Sequence, residues 1–265
     1  MAIITKISAQ EKRADRYNVF LNEKYAFSVD EAVLIRFGLK KGKELSEGEI
    51  AEITEKDQIR KGINIAVQFL SIRMRSEQEV RKHLEKKEVN PAHIGEIIRY
   101  LYQLHYLDDL QFAKAYVRTQ LRTTDKGPNV IERELKEKGI APAFIEEVLN
   151  FFSFDQQLEK AAALAEKYRK KNTKESAIRQ KQKIEQALMR KGYSWNVIQE
   201  ALLQTESADK EEQWQALLYQ AEKAHRRYNK YTGGEYRQKM KQSLYRKGFD
   251  ISDIEKVIEH LQGEN

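Results

Sequence analysis

Leu188-Met189-Arg190-Lys191-Gly192-Tyr193 decides the fold, because the chain repeats it. Leu135-Lys136-Glu137-Lys138-Gly139-Ile140 and Leu244-Tyr245-Arg246-Lys247-Gly248-Phe249 share its Leu, its Lys-Gly pair and the bulky apolar residue that follows. A fourth segment, Leu84-Glu85-Lys86-Lys87-Glu88-Val89, keeps the Leu and the Lys but has Glu88 where the others have Gly. The four leucines stand 51, 53 and 56 residues apart, a period that marks an array of structural units.

The match continues on both sides at fixed offsets. Four residues before each Leu stand Val80, Ile131, Ile184 and Met240, on the same helix face as the Leu. Ten residues after it come Ile94, Ile145, Ile198 and Ile254. Gly139, Gly192 and Gly248 fall just past the last apolar position, where a helix ends in the left-handed conformation that glycine tolerates. The preceding lysine favours the negative end of the helix dipole. Asn90, Ala141, Ser194 and Asp250 follow, three of them good N-caps, with Pro91 and Pro142 at a first helical position. A further helix precedes each pair, over residues 63–74, 109–121, 156–171 and 210–231, with apolar spacing near 3.6. Each unit is therefore helix, helix, helix, longer than a tetratricopeptide of roughly 34 residues.

Residues 1–60 lack this pattern. Tyr17, Val19 and Leu21 alternate, Asn22-Glu23 can turn, and Tyr25, Phe27 and Val29 alternate again, which predicts a β-hairpin. Short helices are expected over 30–37 and 46–53, the second opened by Ser46 and Glu49 as a reciprocal cap. The fold class expected is mainly α, an elongated curved array of three-helix repeats with a small N-terminal extension that contains the hairpin. The borders expected are 1–60 for the extension, then 61–107, 108–155, 156–208 and 209–265 for the four repeats.

Composition suits long helices with wet outer faces. Charged residues make up 34% of the chain, against 12 glycines and 3 prolines. The absence of cysteine excludes a thiolate nucleophile, a disulfide framework and a cysteine-held metal. No basic leader or membrane-length apolar run occurs, so a cytoplasmic protein off the membrane is expected. A monomer is expected as well. The five histidines lack metal-ligand spacing, and Gly38-Leu39-Lys40-Lys41-Gly42-Lys43 lacks the phosphate-loop spacing and reads as a turn. Asp108-Asp109 suits capping of a helix N-terminus better than catalysis, and no other unit supplies an equivalent acidic pair. No catalytic residues, metal or cofactor are expected, and an enzymatic reading lacks the clustered carboxylates it needs.

Charge is the one asymmetric feature. Residues 1–155 hold 26 basic and 25 acidic side chains, whereas residues 156–265 hold 22 and 16, so the excess is C-terminal. Within it, residues 167–191 and 223–247 are each net +8. The candidate binding residues are Lys170, Lys171, Arg179, Lys181, Lys183, Arg190 and Lys191 in the third unit. In the fourth they are Arg226, Arg227, Lys230, Arg237, Lys239, Lys241, Arg246 and Lys247. Lys181 and Arg237, Lys183 and Lys239, Arg190 and Arg246, and Lys191 and Lys247 hold the same repeat positions, so stacking would repeat their charge along one side. A solvated helix face is one account of such segments. Recognition of a polyanion is the other, with phosphates on the cations and bases on Tyr168, Tyr193, Tyr228, Tyr231 and Tyr236. An acidic protein surface would satisfy the same stripe.

One stretch carries a family likeness. Tyr106-Leu107-Asp108-Asp109, Phe112-Ala113, Tyr116-Val117, Arg118, Gly127 and Glu134-Leu135-Lys136-Glu137-Lys138-Gly139-Ile140 resemble the characteristic region of the RecX family of recombination regulators. Through the repeats the likeness spans roughly residues 60–265, and the N-terminal hairpin resembles the extension of longer members. The resemblance implies a modulator, most simply an inhibitor, of the RecA recombinase in recombination, DNA repair and the SOS response. It implies binding along the groove of the RecA–single-stranded-DNA filament without enzymatic activity. It also implies that Tyr106, Asp108, Phe112 and Ala113 serve capping and packing. Glu88 and a full fourth unit depart from the family pattern. A stand-alone nucleic-acid-binding helical repeat protein is the alternative reading.

Overall fold

The computed structural model describes residues 1–11, 13–205 and 209–263. Residues 206–208, at the expected border of the third and fourth repeats, lie outside the described residues. The chain divides into two compact units, Met1–Ala115 with Lys136–Phe144, and Tyr116–Leu135 with Ile145–Asn265.

The first unit opens with an antiparallel sheet of β1 (Ala2–Gln10), β2 (Arg13–Leu21), β3 (Lys24–Asp30) and β4 (Glu44–Leu45), in the order β3-β2-β1-β4. The expected hairpin is β2–β3, with Tyr17 opposite Val29 and Val19 opposite Phe27. Its turn places Asn22 and Glu23 at φ 48° and 69°, the paired positive angles a two-residue hairpin needs. Strand β1 was not expected. Its apolar residues Ile3, Ile4 and Ile7 fit a helical spacing as well as an alternating one, and only pairing with β2 selects the strand.

After α1 (Glu31–Arg36) comes α2 (Glu47–Leu70), one helix where the sequence suggested two, over 46–53 and 63–74. The reciprocal cap is present: Ser46 Oγ accepts from Glu49 N–H at 3.2 Å, and Glu49 Oε2 accepts from Ser46 N–H at 2.8 Å. The middle of α2 reads as polar because two of its inward positions are not apolar. Asp57 is buried in an ion pair with Arg16 of β2 at 2.8 Å. Gly62 admits Ile97, whose Cδ1 would lie 2.4 Å from an added Cβ. Because α2 runs through residues 60 and 61, the extension and the first repeat share a helix.

That repeat continues with α3 (Glu77–Lys86) and α4 (Pro91–Gln103) around Ile63, Ala66, Val80, Leu84, Ile94, Ile97 and Leu101. Next come α5 (Asp109–Thr123), α6 (Pro128–Glu137) and α7 (Pro142–Leu149). The third repeat is α8 (Phe154–Lys171), α9 (Ala177–Lys191) and α10 (Trp195–Gln204). The fourth is α11 (Lys210–Tyr228), α12 (Gly233–Tyr245) and α13 (Ile251–Gly263), with Leu217, Tyr236, Met240, Leu244, Ile254 and Val257 in its core.

Gly139, Gly192 and Gly248 have φ between 77° and 88°, the left-handed cap read from the sequence. Glu88 takes the same conformation, φ 59°, without being glycine. What separates the sites is crowding. The three glycines meet the start of the preceding repeat's middle helix: an added Cβ would lie 2.8 Å from Gln78 at Gly139, 2.6 Å from Val130 N at Gly192 and 2.9 Å from Ser176 Oγ at Gly248. The free N–H groups of one helix start thus meet the free carbonyls of the other helix end. Gly127 N–H donates to Lys191 O at 2.7 Å, Asn129 N–H to Gly192 O at 3.1 Å, and Ser176 Oγ to Lys247 O at 2.5 Å. Glu88 closes the first repeat, which has no earlier repeat to meet, so only the backbone angle is demanded of it.

Candidate functional site

The acidic pair Asp108-Asp109 divides its work between two helices. Asp108 Oδ1 accepts from Gln111 N–H at 2.9 Å and caps its own helix. Asp109 instead reaches α3, where its Oδ1 accepts from Glu77 N–H at 2.8 Å, and Tyr102 donates its hydroxyl to Glu77 Oε2 at 2.9 Å. Burial pushes the Asp109 carboxyl up, and the charges of Glu77, Asp108 and Glu79 add to the shift despite the Glu77 N–H. A raised carboxyl binds its proton more readily in the folded state, so its contribution to stability is largest in acid and declines as pH rises through the folded value. Asp109→Asn, which keeps an acceptor for Glu77 N–H, is expected to leave stability at neutral pH unchanged or higher and to flatten its decline from acid to neutral. Asp109→Ala, which loses the cap, is expected to cost about 1–2 kcal/mol. Urea unfolding of both variants across pH checks this; equal losses in the two would contradict it. Phe112 and Ala113 are buried as expected, whereas Tyr106, expected to pack, stands largely in solvent.

Among the described residues no group of three or more His, Asp or Glu side chains is placed to hold a metal ion. Residues 38–43 form a turn, with Gly38 and Gly42 at positive φ and Lys43 Nζ on Phe37 O at 2.5 Å.

The basic residues sort by partner. Lys170, Lys171, Arg179, Lys181, Lys183 and Arg190 are exposed, and Lys191 is half-buried. In the fourth repeat Arg226, Arg227, Lys230, Arg237, Lys241 and Arg246 are exposed, while Lys239 and Lys247 are half-buried. Four of them hold carboxylates: Lys170 with Glu166 at 3.5 Å, Lys183 with Glu175 at 2.6 Å, Lys239 with Glu235 at 3.5 Å and Lys241 with Glu255 at 2.5 Å. Lys247 is turned into the repeat junction. Its Nζ donates to Gln220 Oε1 at 2.6 Å, and burial, with Lys223 and Arg179 nearby, pulls its ammonium down.

The others have no carboxylate partner among the described residues. Arg179 spends its guanidinium on Arg246 O at 2.7 Å and Arg237 on Gln262 Oε1 at 3.1 Å, while Arg227 and Lys230 lie near the rings of Tyr228 and Tyr231. Lys171, Lys181, Arg190, Arg226 and Arg246 keep the most open charge. Helix position sets the pattern. Lys170 and Lys171 close α8 as Arg226 and Arg227 close α11, each pair at a helix end whose dipole favours cations. These two pairs lie 56 residues apart, as do Lys181 and Arg237, and Arg190 and Arg246.

The aromatic side of the expectation needs correction. Tyr193 and Tyr236 are only 3% and 4% exposed and belong to the core. Tyr236 shares a hydrogen bond of 2.7 Å with His225 Nδ1, and burial pushes the Tyr193 hydroxyl up to about 12. Tyr228 and Tyr231 pack against the fourth core, and Tyr168 is half-buried. Tyr193 occupies the bulky apolar position of the repeat motif beside Ile140 and Phe249, so its burial was legible in the motif. The exposed aromatics include Trp195, Tyr219 and Tyr245 in the last two repeats, at positions where the repeat pattern demands nothing apolar.

Family models cover both units of this arrangement. Residues 2–46 match the regulatory protein RecX N-terminal domain, residues 63–101 the first RecX three-helix domain and 108–149 the second. Residues 155–202 and 211–258 both match the third three-helix domain, which registers the last two repeats at the 56-residue spacing of the basic pairs. A regulatory protein RecX from Bacillus velezensis is 50% identical over 98% of this chain and 99% of its own. One from Bacillus subtilis is 48% identical over 98% of each. A crystal structure of regulatory protein RecX aligns with TM-score 0.70 at 38% identity, covering 75% of this chain and 98% of that one. Among the described residues no helix is long and apolar enough to cross a membrane.

Proposed function

Because the chain belongs to the RecX family of regulatory proteins, we propose that it binds the RecA–single-stranded-DNA filament and restrains recombinase activity, as a cytoplasmic monomer without catalysis of its own. The observation that carries this reading is the repeated set of exposed cations without carboxylate partners in the last two repeats. A solvated face gains nothing from leaving its charges unpaired at matched positions. A filament repeats its phosphates and its subunits, and a repeated cationic surface meets such a target several times, so weak contacts add up. DNA phosphates and acidic recombinase surface are both suitable counter-charges.

The test measures recombinase ATP hydrolysis on single-stranded DNA with substoichiometric protein. The wild type is expected to lower the rate, and an unchanged rate would sink the reading. A variant carrying Lys181→Gln, Arg190→Gln, Arg226→Gln and Arg246→Gln is expected to need about tenfold more protein. Where these side chains meet phosphate, the slope of log affinity against log salt should fall by about 3. All four are exposed, so folding is not at stake. Equal affinity for bare single-stranded DNA and for preformed filament would favour the stand-alone nucleic-acid binder.

A further inference from the structure

The last two repeats share a second feature, and it is apolar. Met189 and Trp195 are 57% and 55% exposed, and Tyr245 and Ile251, 56 residues on, are 62% and 54% exposed. Each pair flanks its Lys-Gly cap, one member near the end of the middle helix and the other at the start of the third. The same positions hold Glu85 and Pro91 in the first repeat and Lys136 and Pro142 in the second, so the apolar pair is confined to the repeats that carry the basic excess. Leaving large apolar side chains in water at matched positions of two consecutive repeats is the mark of a contact surface.

In the fourth repeat the pair opens on a cleft of about 1000 Å³ that Ile178, Trp214 and Phe249 also line, at the upper end of the range that accepts side chains or small ligands. The carboxylates at its wall are already engaged: Asp250 accepts from Ser252 N–H at 2.8 Å, and Asp253 pairs with Lys256 at 3.1 Å. Lys210 lines the same cleft without an ion pair among the described residues, and Arg246 follows Tyr245 directly. The lining itself sets Lys210 and Lys256 against Asp250 and Asp253, and the excess positive charge lies beside it, at Arg246 next to Tyr245 as at Arg190 next to Met189.

We propose that Met189 with Trp195, and Tyr245 with Ile251, are two equivalent docking points for an apolar side chain flanked by carboxylates, offered by successive subunits of the recombinase filament. This rests on the filament reading above and assigns the protein part of that contact. Two observations select a protein over nucleic acid as the occupant. Between the equivalent positions Met is exchanged for Tyr and Trp for Ile, so no position keeps a flat ring in both repeats, as stacking on a base requires. Contact with an aliphatic or aromatic side chain needs only apolar surface and survives the exchange. Arg190 and Arg246, exposed beside Met189 and Tyr245 and without a carboxylate partner among the described residues, select carboxylates beside that side chain. A partner of identical subunits would present the same protrusion to each repeat in turn.

The experiment compares wild type, Trp195→Ser, Tyr245→Ser, their double variant and Trp195→Ile for binding to preformed recombinase filament and to bare single-stranded DNA. Each serine variant is expected to bind filament about tenfold more weakly, and the double variant about a hundredfold. Trp195→Ile, which copies Ile251 of the next repeat, is expected to stay within about threefold of the wild type. Bare DNA binding should be the same for all. Filament binding unchanged in the double variant overturns the proposal while the filament reading stands. Equal losses on filament and bare DNA, with Trp195→Ile as weak as the serine variant, overturn it in favour of base stacking. Wild-type protein that does not bind filament overturns both.

Discussion

Gly192→Ala is expected to destabilise the second compact unit by about 2–5 kcal/mol, more than the same change at Gly248. Two costs combine at Gly192. Its φ of 88° is left-handed, which costs an L-residue roughly 1–2 kcal/mol. An added Cβ would also lie 2.6 Å from Val130 N, so backbone must move, at a further cost of about 1–3 kcal/mol. That movement would strain the junction bonds from Gly127 N–H to Lys191 O and from Asn129 N–H to Gly192 O. At Gly248 the nearest atom is Ser176 Oγ, which can rotate away, so the cost there approaches that of the angle alone, whereas at Gly139 it is Gln78 Cβ at 2.8 Å, which is fixed to its backbone. Glu88 supplies the control. It holds φ 59° as a non-glycine, so Glu88→Gly is expected to be neutral or to stabilise by up to about 1 kcal/mol. Trp195, three residues from Gly192, gives a fluorescence signal for urea unfolding of this unit. A Gly192→Ala variant no less stable than Gly248→Ala would show that the junction yields.

Asp57→Ala is expected to cost the first unit about 3–5 kcal/mol, the scale on which removal of one partner strands a buried charge. Asp57 Oδ2 accepts from Arg16 at 2.8 Å and its Oδ1 from Asp30 N–H at 2.8 Å, and Lys61 pairs with it at 3.0 Å. Without it the Arg16 guanidinium keeps, among the described residues, Ser28 O and Oγ, each at 3.0 Å. Burial pushes the Asp57 carboxyl up, but the bonds from Arg16, Asp30 N–H and Lys61 together hold it below its usual range. A depressed carboxyl contributes its full stability above the unfolded value, about 4, and loses it as pH falls through the lower folded value. The gap between wild type and Asp57→Ala should accordingly be constant near neutrality and narrow only in acid below about pH 4. Both tryptophans, Trp195 and Trp214, lie outside this unit, so hydrogen exchange of the β1, β2 and β3 amides is the suitable probe. Exchange unchanged by Asp57→Ala would mean that the network does not hold the sheet to α2.

The sequence alone determined the repeat, the helix ends and the rows of buried residues. Those features depend on interactions within one or two helical turns, and Leu188, Gly192 and Ile198 declare them by type and spacing. Tertiary structure decided whatever depends on a distant partner. Strand β1 exists because β2 pairs with it, and α2 stays unbroken because Arg16 makes a buried place for Asp57. Asp109 serves a helix 32 residues behind it, which no local pattern records. The candidate surface divides in the same way. The matched cations Arg190 and Arg246 were legible as repeat positions, but their freedom from carboxylates, against the pairing of Lys183 and Lys239, was not. Tyr193, at the bulky apolar position of the motif, is buried as Ile140 and Phe249 are, but that Trp195, two residues on, is left in water was not legible. A residue's type and spacing set which helix face it occupies, and only the packing of other helices against that face sets whether it meets solvent.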